Sequence, residues 1–180
     1  MLENERDATG IVTKLFEHNE WANLKLLGFC EGLSDEHLDS TAIGCFGSIR
    51  ETLGHIIRGE VSYVVRVNGK LPPAVPAAGE SVGFEAMKDM VRWSSQEMLQ
   101  LALSARKDTL VHEREGEWVC QYNLSSLMVQ AVTHSTEHRT QIAAIITQLG
   151  TEPPDMSVWN YIVGIEEFRE TRKPVEGVQE

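Results

Sequence analysis

Basic residues are scarce in this chain. Lys and Arg number 16 against 27 Asp and Glu, a formal net charge of -11 at pH 7. Nucleic acid and anionic membrane surfaces both call for a basic footprint, so neither is expected as a partner. Cysteine is scarce too. Cys30, Cys45 and Cys120 are odd in number, widely spaced and in no CxxC pattern. That argues against a disulfide framework or a zinc-thiolate cluster and for three reduced thiols. No apolar run reaches the roughly 18–20 residues of a membrane span. The first residues, MLENERDATG, lack the basic-then-apolar pattern of a signal peptide. A soluble, cytoplasmic protein is the expectation.

What remains is ordinary globular material. The 180 residues are 42% hydrophobic and 24% charged, enough for one domain with a sizeable core. We expect that domain over 1–172 and a frayed tail over 173–180. Apolar residues recur every three to four positions over 8–31, which predicts a long first helix. Gly32 ends it, and Ser34 offers a cap for a short turn. A second helix is expected over 48–68, where Ser48 and Glu51 have capping-box spacing. Pro72, Pro73, Pro76 and the flanking glycines mark the clearest loop. A third helix follows over 83–105. The segment TLVHEREGEWVCQYN then changes period and reads as a short hairpin. A fourth helix runs over 124–149 and stops at Gly150, Pro153 and Pro154; a last short one is expected near 157–171. The chain is therefore read as all-α: a four-helix bundle with a hairpin-like insertion before the last long helix. The long links mean the topology need not be up-down-up-down.

The fourth helix carries the chemistry. Leu127, Ala131, His134, His138, Ile142, Ile145 and Leu149 form one inward stripe. His134 and His138 sit i, i+4 in that stripe, about 6 Å apart on one face. Two imidazoles so placed can share a divalent cation. Left without one, each buried ring needs both a donor and an acceptor partner. A third ligand should come from a facing helix. His37 and His112 fall in loop-like and hairpin segments and read as structural or exposed. His18 lies on the stripe of helix one and stays open as a ligand. His55 falls about 120° from the centre of the second helix's apolar stripe, beside Gly59, Ser62 and Arg66, so the wheel leaves it on a polar face. Glu60 does lie on that stripe, as a buried carboxylate that either binds the metal or supports it.

Three segments carry a family resemblance. They are LFEHNEWANLKLL (15–27), GSIRETLGHIIRGEVSYVVRVNG (47–69) and VTHSTEHRTQIAAIITQLGTEPPDMSVWNYI (132–162). Over roughly 8–165 the chain resembles the DinB-like superfamily of metal-binding four-helix bundles, related to YfiT-type proteins assigned as metal-dependent hydrolases. The most specific parts are the histidine of helix two, the His-x-x-x-His-Arg, the Trp-Ala-Asn at 21–23, and the QLG-x-x-PP stop. The resemblance implies His55, His134 and His138 as metal ligands. It implies nickel or zinc as the metal, an up-down-down-up bundle and a homodimer. Glu137, Thr140 and Tyr63 depart from the usual pattern without removing a ligand.

Three neutral imidazoles leave a dication its full charge and an open position, which reads as catalytic or substrate-binding rather than structural. The implied reactions on a small-molecule substrate are hydrolysis, or transfer with a low-molecular-weight thiol such as mycothiol or bacillithiol. No nucleophile with a partner base is visible. The auxiliary candidates for catalysis are Glu60 and Arg139. Arg139 points about 100° from its neighbouring ligand, and a surface or interface salt bridge is its plainer reading. Trp159 and Tyr161 read as core packing, with a place at the pocket mouth as the alternative. A non-enzymatic metal-binding stress-response module is the competing function.

Overall fold

The computed structural model describes residues 2–73, 82–106 and 108–168. The expected tail at 173–180, the end of the expected last helix and most of the Pro-rich link lie outside them. The elements are α1 (Leu2–Cys30), α2 (Asp35–Leu38), α3 (Ile49–Asn68), α4 (Phe84–Ser104), β1 (Leu110–Glu115), β2 (Trp118–Asn123), α5 (Leu124–Gln148) and α6 (Val158–Gly164). No described helix is long and apolar enough to cross a membrane.

Local chemistry sets the boundaries. Ser48 accepts from the Glu51 amide, and the Glu51 carboxylate accepts from the Ser48 amide, so α3 opens on a complete capping box. It closes at Gly69, whose φ of 70° suits a residue without Cβ. Ser34 caps α2, which places His37 on one helical turn rather than in a loop. Helix α1 begins earlier than the expected residue 8. Its first turns are acidic and polar, which suits a helix N-terminus but carries no apolar periodicity to read. Helix α6 is shorter than expected and gives way at Ile165, before Glu166 with φ 57°. The hairpin pairs Leu110 with Asn123 through Glu115 with Trp118 and turns at Gly116, φ 60°.

The four long helices form an up-down-down-up bundle. Glu60 meets Ser94 and Asn68 meets Glu97, so α3 and α4 run parallel. Phe46, just before α3, meets Gln141, and Glu60 meets Ser135, so α5 runs against α3. Lys88 reaches Glu31 while Ser94 shares Glu60 with Asn19 and Asn23, so α1 runs against α4. Each of α1 and α3 packs on both α4 and α5. The hairpin spans the end of the bundle, from α4 across to α5.

The core has two apolar halves. One gathers Leu26, Leu27, Leu53, Ile57, Val91 and Ile145 with their neighbours. The other gathers Phe16, Val64, Met98, Leu127 and Ala131. Between them every long helix turns polar. Asn19 and Asn23 of α1, Glu60 of α3, Ser94 of α4, and Ser135 and Arg139 of α5 are all buried. Glu60 Oε1 accepts from both asparagine Nδ2 groups at 2.8 Å and from Ser135 Oγ at 2.7 Å; its Oε2 accepts from Ser94 Oγ at 3.2 Å. Arg139 Nη1 donates to the asparagine Oδ1 atoms at 2.8 and 2.7 Å, and Nη2 donates to Thr136. A buried carboxylate and a buried guanidinium are thus joined through two amide dipoles. This corrects the surface reading of Arg139, which is 4% exposed. Burial pushes its pKa down to about 10, with Glu60 opposing, so it keeps its charge at neutral pH.

Candidate metal centre

Helix α5 buries Leu127, Ala131, His138, Ile142 and Ile145 along the predicted stripe, with His134 half-buried at its edge. The rings of His134 and His138 stand 4.5 Å apart between centroids at 77°. His55 approaches from α3. Its Nε2 lies 2.9 Å from His134 Nε2, and its ring meets His138 at 4.6 Å and 88°. One ligating atom from each of the three lies within 4.8 Å of the others. Among the described residues this is the one such group of His, Cys, Asp or Glu.

Helix α3 brings His55 here by a route the wheel does not register. It faces α5 along a flank of small residues, where Gly59 sits one turn on. A Cβ built on Gly59 would stand 3.1 Å from His134 Cε1. The glycine is therefore the space into which the His134 ring fits. Alanine in mid-helix normally stabilises by about 1 kcal/mol over glycine. Gly59→Ala is expected to leave the unfolding midpoint level or higher while weakening zinc affinity, because the new methyl turns His134 out of line. A zinc titration beside a urea melt checks this; equal affinity in both proteins refutes it.

Orientation comes from Gln141. Its Oε1 lies 2.9 Å from His138 Nδ1 and 3.1 Å from the Phe46 amide nitrogen. The backbone N–H can only donate, so the oxygen is on that side. It then accepts from Nδ1–H and leaves His138 Nε2 with a free lone pair. The Phe46 ring stacks on His55 at 4.0 Å and 19° and meets His138 edge-on at 5.3 Å. Phe46 itself is 54% exposed, so the cover over the rings is thin. Neither Phe46 nor Gln141 was singled out in the sequence, although Gln141 at i+3 from His138 had the spacing to be considered.

The donor set fits a divalent cation. Burial, then the neighbouring His138, then Arg58 push the His55 pKa down. Burial, then His138 and His55 do the same to His134, against a smaller upward push from Glu137. Both rings are held in the neutral form, which is the metal-binding form. Two Nε2 atoms facing each other at 2.9 Å need a shared proton or a shared cation between their lone pairs. Among the described residues His134 Nδ1 is buried without a hydrogen-bond partner.

The remaining candidates lie elsewhere. His18, left open as a ligand, hydrogen-bonds the Met156 carbonyl at 2.9 Å and packs against Trp21 and Tyr161. Burial lowers its pKa. His37 is half-buried and His112 is exposed, and neither joins the converging group. Glu60 is fully buried and outside the converging group. Tyr161 is core, as expected, but Trp159 is 70% exposed and packs edge-on against Phe168. Residues two apart on a helix point about 200° apart, so α6 cannot bury both. Cys30 is buried, with its thiol pushed up to about 12, and no disulfide forms among the three cysteines.

A family model described as the DinB family matches residues 1–168. The chain belongs to the DinB family. Protein DinB of Bacillus subtilis (strain 168) is 24% identical over 164 residues, spanning 85% of this chain and 95% of the relative. Within this DinB-family bundle, the Trp-Ala-Asn of helix one has a physical reading. Ala22 is fully buried and Asn23 is one of the two amides between Glu60 and Arg139.

Proposed function

We propose that this protein is a metal-dependent enzyme whose three-histidine centre, His55, His134 and His138, takes zinc or nickel. It acts on a small molecule by hydrolysis or by transfer involving a low-molecular-weight thiol such as mycothiol or bacillithiol. The observation that carries this is the all-imidazole donor set. Three imidazole rings converge with no carboxylate or thiolate in the group, and the half-exposed Phe46 stacks on one of them. A divalent ion held by such a set supplies Lewis acidity that lowers the pKa of a water or thiol.

The chain's own residues hold and aim. Gln141 fixes the His138 tautomer, and Phe46 keeps water from one face of His55. Glu60 and Arg139 are read as positioning groups, since neither reaches the surface where a substrate arrives. The test is metal content in untagged protein by plasma mass spectrometry, followed by hydrolase and thiol-transfer panels on the metal-loaded protein. About one divalent ion per chain and turnover that a chelator abolishes are expected. Protein free of stoichiometric metal after zinc or nickel loading refutes the centre. Metal without turnover in either panel refutes the enzyme and favours a metal-binding module.

A further inference from the structure

The three histidines come from two helices, so their convergence depends on how α5 sits on α3 in height and rotation. Apolar side chains tolerate small slips of that kind. Directional bonds to a buried charge do not, because a slip leaves the charge unsatisfied. The buried polar layer makes such bonds at two points of α5. Ser135, next in the chain to His134, donates to Glu60 of α3 at 2.7 Å. Arg139, next to His138, donates to Asn19 and Asn23 of α1 at 2.8 and 2.7 Å. The same asparagines donate to Glu60. Glu60 stands five residues after His55 on the same helix. Every ligand-bearing helix is thus tied to one carboxylate beside its ligands, although that carboxylate touches none of them.

We infer that Glu60, with Asn19, Asn23, Ser135 and Arg139, forms a register lock that positions α5 on α3 so that His134 and His138 meet His55. The inference rests on the three-histidine reading of the site and gives the layer a purpose beyond holding the fold. Two serines separate positioning from plain stability. Ser135 and Ser94 are both buried and both donate to Glu60. Ser135 is on the histidine-bearing α5, whereas Ser94 is on α4, which carries no ligand.

The experiment compares Ser135→Ala and Ser94→Ala in the full chain by urea unfolding, by zinc titration against a chromophoric chelator, and by the visible spectrum of the cobalt-loaded protein. Both variants are expected to unfold at lower urea. Ser135→Ala alone is expected to lose roughly 10-fold or more in zinc affinity and to show a shifted cobalt spectrum, the scale of effect that supporting groups around metal ligands typically have. Equal zinc affinities and unchanged cobalt spectra in the two variants would overturn the lock. If Ser135→Ala fails to fold, Asn19→Ala replaces it, since Asn23 still bridges the charges; undiminished affinity there is equally fatal. Wild-type protein that takes up neither zinc nor cobalt refutes the metal reading itself, a different outcome from either.

Discussion

Replacing His138 with alanine is expected to abolish stoichiometric zinc binding. The ring contributes one of the three nitrogens that converge among the described residues, and its Nε2 is the one whose tautomer is set from outside, by Gln141. Losing it leaves a two-imidazole site, and the loss in affinity should exceed the roughly 10–100-fold that changes to supporting groups cost. A ligand that binds only the folded state stabilises it by about 2.7 kcal/mol at 100 times its Kd. Zinc should therefore raise the melting temperature of the wild type and leave that of His138→Ala unmoved. His18→Ala is the control. His18 is bonded to Met156 and packed on Trp21 and Tyr161, so its removal should lower stability and leave the zinc-induced rise intact. A zinc-induced rise retained in His138→Ala and lost in His18→Ala would mean that the wrong histidine has been placed in the centre.

Glu60→Ala is expected to destabilise the fold by about 3–5 kcal/mol, the range for removing one partner of a buried charge pair. The substitution strands three strong donors, from Asn19, Asn23 and Ser135, and leaves Arg139 with an uncompensated buried charge. Arg139→Met should cost a comparable amount by the converse logic. The double variant should cost less than the sum, since each single change already exposes the other charge. Urea midpoints of the two single variants and the double one measure this coupling. Strict additivity would mean that the two charges do not sense each other across the asparagines.

Much of the architecture was legible in the sequence because its signals are local. Ser48 with Glu51, Gly69, and the period change before Leu124 each lie within a few residues of what they specify. The i, i+4 histidines were legible for the same reason. His55 was not, because a hydropathy wheel weighs apolar side chains and assigns nothing to a glycine. The contact between α3 and α5 is close at Gly59, where there is no side chain to count. The resemblance supplied His55 where periodicity pointed away from it. Arg139 misled for a different reason. A lone arginine is rarely buried, and the partners that make it tolerable here stand 116 and 120 residues away. Glu60 was readable as buried from its place on the stripe, but its four donors, drawn from three other helices, were not.

The bridged pair also bears on how the chain is made. Ser135 emerges 75 residues after Glu60, and Arg139 later still. Until then the carboxylate has the donors of α1 and α4 alone to close against, from Asn19, Asn23 and Ser94. A nascent chain that has yet to release α5 from the ribosome therefore lacks Arg139, the cation that faces Glu60 across the two asparagines. The last long helix to be synthesised both completes that layer and delivers two of the three imidazoles.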